Sequence, residues 1–216
     1  LKEAPADFEG EFTVLEDTIK IDDDAFNGCT KITKLIIPSK ATVELGKRCF
    51  KDCTSLEGVY IYGNIPSWEE ETFMGCSSLQ KATIGTSVST IPRIGTRAFK
   101  GCSGLSAEAA VSIYALVNTI GQEAFMDCTN LPSIGYGTNG TLGEARAALQ
   151  IIEDSAFCNC TKLKTFLTTK FSGVTTLGDY VFKGCLSMTA PSLAASVTSI
   201  GKGCFMAVSY THLRAH

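Results

Sequence analysis

The chain repeats one arrangement of apolar and polar positions: an aliphatic residue, four further residues, Phe, two residues, Cys, two residues, and then Leu or a similar residue. Successive motif phenylalanines lie between 23 residues apart (Phe50 and Phe73) and 32 residues apart (Phe125 and Phe157). This period predicts a solenoid, because one such unit cannot cover its own apolar face and must stack on its neighbours. The eight motifs occupy residues 21–32, 45–56, 68–79, 94–105, 120–131, 152–163, 177–188 and 200–205.

Each motif has the spacing of a short helix. In the fifth motif Ala124, Phe125, Cys128 and Leu131 stand at i, i+1, i+4 and i+7, which places them on one helical face. The residue before the motif cysteine is of a type that tolerates left-handed backbone and ends helices. These residues are Gly28, Asp52, Gly75, Gly101, Asp127, Asn159 and Gly184. We therefore expect a helix of one or two turns that ends at this position.

A short strand is predicted after the motif leucine. In residues 56–61, Leu56, Val59 and Ile61 are expected to face inward and Gly58 and Tyr60 outward, as in a half-buried strand. Residues 34–38 and 81–84 have a similar pattern. The predicted fold class is an α/β repeat solenoid of about eight units of roughly 23–32 residues, each a short strand plus a short helix, with the strands in a parallel sheet.

The motif phenylalanines and cysteines are expected to form a structural ladder inside the solenoid. Free Cys behaves as a small apolar residue, and Cys49 and Cys204 stand where Ala precedes Phe in other motifs. Packing is therefore favoured over a disulfide or metal role. Cys158, which follows Phe157, is expected to face outward and is the one candidate for redox or metal chemistry. The ladder comprises Phe26, Phe50, Phe73, Phe99, Phe125, Phe157, Phe182, Phe205, Cys29, Cys53, Cys76, Cys102, Cys128, Cys160 and Cys185.

The pattern Ile-Gly-x-x-Ala-Phe-x-x-Cys-x-x-Leu-x-x-Ile at residues 120–134, and nearly the same pattern at 94–105, closely resembles the BspA-like leucine-rich repeat. The resemblance covers residues 19–205, because Phe, Cys and Leu recur together at fixed offsets. It implies a right-handed, curved or twisted solenoid without catalytic residues. It also implies a protein used for adhesion or protein recognition, frequently on a cell surface.

Composition and charge narrow the function classes. The 216 residues include 44% hydrophobic and 19% charged residues with a net charge of −3, which is typical of a folded domain and lacks the basic footprint of a nucleic-acid-binding protein. No apolar run reaches the ~18 residues of a transmembrane helix. The first residues include neither an initiator Met nor the apolar core of a signal peptide. The true N-terminus is therefore expected to be missing from this sequence.

The end of the chain departs from the repeat. Residues 208–216 are interpreted as a translated sequencing-adaptor artefact, which leaves residues 1–207 as a single solenoid fragment. Both histidines, His212 and His216, lie in this tail. Without them the chain lacks the base of a Ser-His or Cys-His catalyst and the histidine ligands of a zinc site. We expect no enzyme activity, no cofactor and no metal site.

Two acidic runs and one sequon have alternative interpretations. Residues 22–24 are all Asp and residues 69–71 are all Glu. Carboxylates bind calcium, but neither run has the spacing of an EF-hand loop, and acids at the start of a short helix are the favoured interpretation. Asn139, Gly140 and Thr141 form a glycosylation sequon if the chain is secreted by a eukaryote.

The outward strand positions form the candidate partner-binding face. They are Lys34, Ile36, Tyr60, Tyr62, Lys81, Thr83, Thr165 and Leu167. A Gly-rich stretch at residues 135–143 predicts an enlarged loop beside it. The leading hypothesis is a recognition or adhesion module of a larger surface or secreted protein that binds a protein or glycan through this face and the loop. The alternatives are an intracellular scaffold or regulatory domain with reduced cysteines, and a binding appendage of an enzyme whose catalytic domain is missing.

Overall fold

The computed structural model describes residues 8–86, 89–107, 110–114, 116–136, 148–164, 173–188 and 193–208, which form a parallel β-solenoid. Its strands belong to one long sheet and a line of very short strands. The strands are β1 Gly10–Thr13, β2 Lys20–Ile21, β3 Ile32–Ile37, β4 Glu44–Leu45, β5 Gly58–Ile61, β6 Lys81–Ile84, β7 Arg93–Ile94, β8 Val111–Ile113, β9 Thr119–Ile120, β10 Ile134–Tyr136, β11 Ile151–Ile152, β12 Thr176–Leu177 and β13 Ser199–Ile200.

The long sheet has the order β1-β3-β5-β6-β8-β10, with every neighbouring pair parallel. Leu35, Val59, Ala82 and Val111 are in register across it and are fully buried. The strand predicted within residues 56–61 is therefore confirmed, with Val59 and Ile61 facing the core.

The short strands lie directly before the motif turns. Strands β7, β9, β11, β12 and β13 form one parallel sheet, and β2 pairs with β4. The second residue of most of these strands is the buried aliphatic residue that opens the motif, as in Ile94 and Ile120. Leu45 forms an isolated bridge with Trp68, which continues the same line of strands into the third motif.

The motif segments are turns, and the predicted strand-plus-helix unit is wrong. Backbone N–H groups donate to the next repeat instead of within a helix: the Phe99 N–H donates to the Ala124 carbonyl at 2.8 Å, and the Phe125 N–H to the Ala156 carbonyl at 2.8 Å. Two residues with positive φ, four positions apart, interrupt each motif. In the fifth motif they are Glu123 (φ 54°) and Asp127 (φ 61°), and a left-handed residue breaks a right-handed helix.

The left-handed backbone predicted before the motif cysteine is confirmed. Gly28, Asp52, Gly75, Gly101, Asp127, Asn159 and Gly184 all have positive φ. In the eighth motif Ala207 has a φ of 58° and Val208 takes the place of the cysteine, where it is 5% exposed. The eighth motif turn therefore includes Val208. Residues 209–216 lie outside the described part of the chain.

The eight motif phenylalanines form a continuous stack. Seven successive pairs have ring centroids 4.7 to 5.6 Å apart and planes within 16° of parallel. Phe26 to Phe182 are buried, and Phe205 is half-buried at the far end. At the near end Phe12 packs on Phe26 with ring centroids 4.6 Å apart. Offset stacking of this kind adds to the stabilisation that burial of the rings supplies.

The motif cysteines form a second ladder. From Cys53 to Cys185, the thiol of each motif cysteine donates a weak hydrogen bond to the backbone carbonyl of the phenylalanine one motif earlier, as Cys53 does to Phe26. The distances from sulfur to oxygen are 3.1 to 3.2 Å. All ten cysteines are free. Burial raises the pKa of the Cys128 and Cys185 thiols to about 12. These residues therefore fill space and satisfy a carbonyl, and their thiolate forms are scarce.

Cys158 does not face outward, so that expectation is wrong. Its side chain is only 5% exposed, and burial raises the pKa of the thiol. No group of three or more His, Cys, Asp or Glu side chains within the described ranges is placed to hold a metal ion. Cys158 is therefore neither an accessible thiol nor part of a cluster of metal-ligating residues in the described part of the chain.

Candidate binding surface

The outer face of the long sheet carries the described members of the predicted binding face. Its central row, in register from β1 to β10, is Thr13, Ile36, Tyr60, Thr83, Ser112 and Gly135. Lys34 and Lys81 lie in the next row, on either side of Gly58. Thr165 and Leu167, like residues 137–143 of the predicted enlarged loop, lie outside the described residues. The sheet thus brings six predicted residues to one surface.

Tyr60 is held in place at the centre of this surface. Its ring lies over Gly58, where an added Cβ would be 2.6 Å from Tyr60 Cε2. The Lys34 Nζ atom lies 5.6 Å from the centroid of the same ring and 2.8 Å from Glu11 Oε2. The hydrogen bond to Glu11 raises the pKa of Lys34, so its charge over the ring is maintained. Sequence reasoning identified Tyr60 and Lys34 but missed Gly58 and Glu11, which position them.

Two grooves flank Tyr60. One, of about 320 Å³, lies between the side chains of Tyr60, Tyr62 and Tyr114, with Thr83 and Lys81 also lining it. Thr83 is only 9% exposed, because it lies at the bottom of this groove and not on an open surface. Tyr114 was missed because residues 107–110 obscure the strand pattern before β8.

The second groove, of about 470 Å³, lies on the other side of Tyr60. Lys34, Lys81, Glu11 and Glu57 all line it, so charges of both signs are present. Taken together, the two grooves offer aromatic faces, hydroxyl groups and charges.

A further groove of about 480 Å³ lies beside Trp68, on the side of the short strands. Trp68 itself is 6% exposed and packs edge-on against Phe73 and Phe99, with centroids 6.1 and 5.8 Å away. Its buried Nε1 has no hydrogen-bond partner within the described residues. The indole therefore fills the interior of the third repeat, at the position that an aliphatic residue takes in the other motifs.

The acidic runs link repeats and do not begin helices, so that interpretation is wrong. Asp24 pairs with Arg48 at 2.7 Å. Glu71 pairs with Lys51 at 3.0 Å and with Arg97 at 3.2 Å. The hydrogen bond from Lys51 is the main cause that lowers the pKa of Glu71. These carboxylates are occupied by cations of neighbouring repeats.

The ladder of ion pairs continues to Glu123. Its carboxylate accepts from Lys100 at 2.7 Å and from Arg97 at 3.1 Å. Burial acts to raise the pKa of Glu123, but the hydrogen bonds from Lys100 and Arg97 outweigh it and lower the pKa. The carboxylates of Asp24, Glu71 and Glu123 on this ridge of turns are therefore paired with cations of adjacent repeats.

Comparisons with known proteins agree with this architecture. The BspA type leucine-rich repeat region matches in six copies, over residues 10–132, 92–143 and 136–214. A leucine-rich repeat protein from T. pallidum is 22% identical, with a TM-score of 0.61 over 87% of this chain and 91% of its own. No curated protein gives a significant match. Among the described residues no helix has the length and apolar character needed to cross a membrane.

Two further solved structures show partial similarity. A leucine-rich repeat protein from Bacteroides ovatus is 25% identical with a TM-score of 0.47, and the alignment covers 90% of this chain but 54% of that protein. This chain therefore spans about half the length of the B. ovatus protein. A leucine-rich cell surface protein from Faecalibacterium prausnitzii is 16% identical with a TM-score of 0.42, over 95% and 64% of the two chains. The BspA type leucine-rich repeat region covers most of the sequence, over residues 10–132, 92–143 and 136–214, and the chain therefore belongs to the BspA-type leucine-rich repeat family.

Proposed function

We propose that this chain is a non-enzymatic recognition module of a larger surface or secreted protein, and that it binds a protein or glycan through the outer face of its long sheet. The observation that supports this proposal best is Tyr60, held over Gly58 between two grooves at the centre of that face. Pinned aromatic side chains lose little freedom on binding and are common anchors of interfaces. Proteins of this family are generally protein-binding or adhesion modules.

A binding panel tests the proposal. The immobilised chain is presented with secreted and cell-surface glycoproteins, each in native and deglycosylated form. For any member that binds, Tyr60→Ala/Tyr62→Ala is expected to weaken the affinity about tenfold or more, because both anchors of the surface are lost. Tyr180→Ala is the matched control, since Tyr180 lies on the turn ridge beside Lys183 and not on the sheet. Binding that depends on Tyr180 but not on the sheet tyrosines would contradict the proposal, as would a panel without any binder.

An intracellular scaffold is the second candidate. It is supported by the ten free cysteines, because unpaired thiols persist in reducing compartments. In that setting the same sheet face is the proposed contact surface, and the partner is an intracellular protein. Refolding in glutathione buffers set to the redox potential of the secretory pathway distinguishes the secreted module from the intracellular scaffold. Recovery of the native fold with free thiols supports the secreted module, whereas disulfide-linked misfolded chains support the scaffold.

A further inference from the structure

The bottom of the groove between the tyrosines presents a hydroxyl that no described residue uses as a hydrogen-bond partner. Thr83 is 9% exposed and lines the groove, yet its side-chain hydroxyl makes no hydrogen bond to another described residue. By contrast, the Ser89 hydroxyl donates to the Tyr62 carbonyl at 2.8 Å and is used by the fold itself. A hydroxyl both donates and accepts, so Thr83 is available to a ligand that does the same.

The walls of the groove are aromatic. Tyr60 and Tyr62 have ring centroids 6.4 Å apart and planes inclined by 31°, and Tyr114 lines the same groove. Each tyrosine combines a flat apolar face with a polar phenol hydroxyl. The groove therefore accepts a compact body that has both apolar C–H groups and hydroxyls. Its volume of about 320 Å³ is at the lower end of the range for ligand pockets and suits one small ring better than a long segment.

Lys81 is the only charged residue that lines this groove within the described part of the chain. It is exposed and forms no ion pair with a described carboxylate, whereas Lys34 is paired with Glu11 at 2.8 Å. Lys81 also lines the groove on the other side of Tyr60 together with Glu11 and Glu57, but neither carboxylate forms an ion pair with it. The ammonium group of Lys81 is therefore complementary to an anionic ligand.

The backbone around the groove is not available for pairing with a peptide strand. Strand β5 pairs with β3 and β6, and β6 pairs with β5 and β8, so both strands have neighbours on each side. An extended peptide that adds to a sheet needs an unpaired strand edge. A ligand here therefore depends on ring faces, hydroxyls and one ammonium group.

We infer that this groove binds an acidic sugar residue of a glycan, an inference that rests on the proposed recognition function of the sheet face. The C–H face of the sugar ring packs on the tyrosines, a ring hydroxyl exchanges hydrogen bonds with Thr83, and the carboxylate pairs with Lys81. The described groups thus match the three chemical features of such a sugar: an apolar ring face, hydroxyls and a negative charge.

Calorimetric titration with 3′-sialyllactose, a hyaluronan tetrasaccharide, neutral lactose and a hexaglutamate peptide tests this inference. At least one of the two acidic sugars is expected to bind about tenfold or more tightly than lactose, and the peptide weakly or not at all. Lys81→Gln is expected to abolish the preference for the acidic sugar. Thr83→Val, which keeps the side-chain shape, is expected to weaken binding several-fold without changing the melting temperature. Lys202→Gln is the matched control on an exposed lysine remote from the groove.

Three results would overturn the inference: equal affinity for lactose and the acidic sugars, no sugar binding at millimolar concentration, or an acidic-sugar affinity that Lys81→Gln leaves unchanged. A hexaglutamate peptide that binds more tightly than the sugars would assign the groove to acidic peptides instead. If the sugars fail while Tyr60→Ala/Tyr62→Ala still abolishes binding of a deglycosylated protein, the proposed recognition function stands and only the glycan assignment is lost.

Discussion

Phe125→Ala is expected to lower the free energy of unfolding by about 3–5 kcal/mol. Phe125 is fully buried, and its ring stacks on Phe99 at 5.2 Å and on Phe157 at 5.3 Å. Both neighbours are fixed by inter-repeat hydrogen bonds of their own backbones, so the cavity cannot close without separating repeats. Urea unfolding followed by circular dichroism and by the fluorescence of Trp68, the single tryptophan, measures the loss.

Tyr60→Ala is the matched control for this prediction. It removes an aromatic side chain of similar size from the outer face of the sheet, where the ring is half-buried and contacts Lys34 and Tyr62. The expected loss is below about 1 kcal/mol, since only surface contacts disappear. Small and equal losses from Phe125→Ala and Tyr60→Ala would contradict the internal stack as the main source of stability.

Gly121→Ala is expected to cost about 2 kcal/mol or more, because the added Cβ meets backbone atoms of the preceding repeat. It would lie 2.6 Å from the Ile94 carbonyl oxygen and 2.9 Å from the Gly95 carbonyl carbon. Those atoms belong to the neighbouring repeat, so relief requires the repeats to move apart and weakens the stacking between Phe99 and Phe125. Thermal and urea unfolding of the variant measure this cost.

Gly28→Ala separates this steric effect from the effect of backbone conformation. Gly28 has a φ of 73° but no atom within 4 Å of an added Cβ, so its replacement costs about 1–2 kcal/mol through the left-handed backbone alone. Gly121 has no such backbone conformation, and its cost arises from the close approach of two repeats. A Gly121→Ala variant as stable as the unsubstituted chain would mean that the repeats are not packed as closely as described.

The periodic features were predictable from the sequence because the same residue type recurs at the same buried position of each repeat. The phenylalanine stack, the cysteine ladder and the strand at residues 58–61 follow from spacing alone. The prediction of a short helix in each motif was wrong, because residues at i, i+1, i+4 and i+7 face inward in two successive non-helical turns as well as in a helix. The non-helical turns form because their backbone groups make hydrogen bonds to the next repeat. Such long-range hydrogen bonds cannot be predicted from the spacing of residues within one motif.

The left-handed residues were only half predictable. Glycine, aspartate and asparagine before the motif cysteine indicate them, but Arg97 and Glu123 also have positive φ values of 54°. Neither arginine nor glutamate is among the residue types that favour this conformation. Their ion pair with each other at 3.1 Å, and the backbone bonds of their turns to adjacent repeats, hold them there.

The candidate binding surface was predictable as a set of outward residues but not as a set of grooves. Alternation along the strands identifies Tyr60, Lys81 and Thr83. The burial of Thr83 depends on side chains of neighbouring strands, in particular Tyr62 and Tyr114, with which it lines one groove. Which side chain covers which groove is set by register across the sheet, and register is a property of the assembled repeats.

Thiol titration tests most directly whether the repeated motif is a packing ladder. In denaturant without reductant, a thiol-specific reagent is expected to find all ten cysteines free, because none is paired. In the native protein only half-buried Cys29 is expected to react readily, since the other nine are buried, and Cys29→Ser removes that signal. A titre near zero in the unfolded, unreduced chain would contradict the ladder and identify a disulfide scaffold instead.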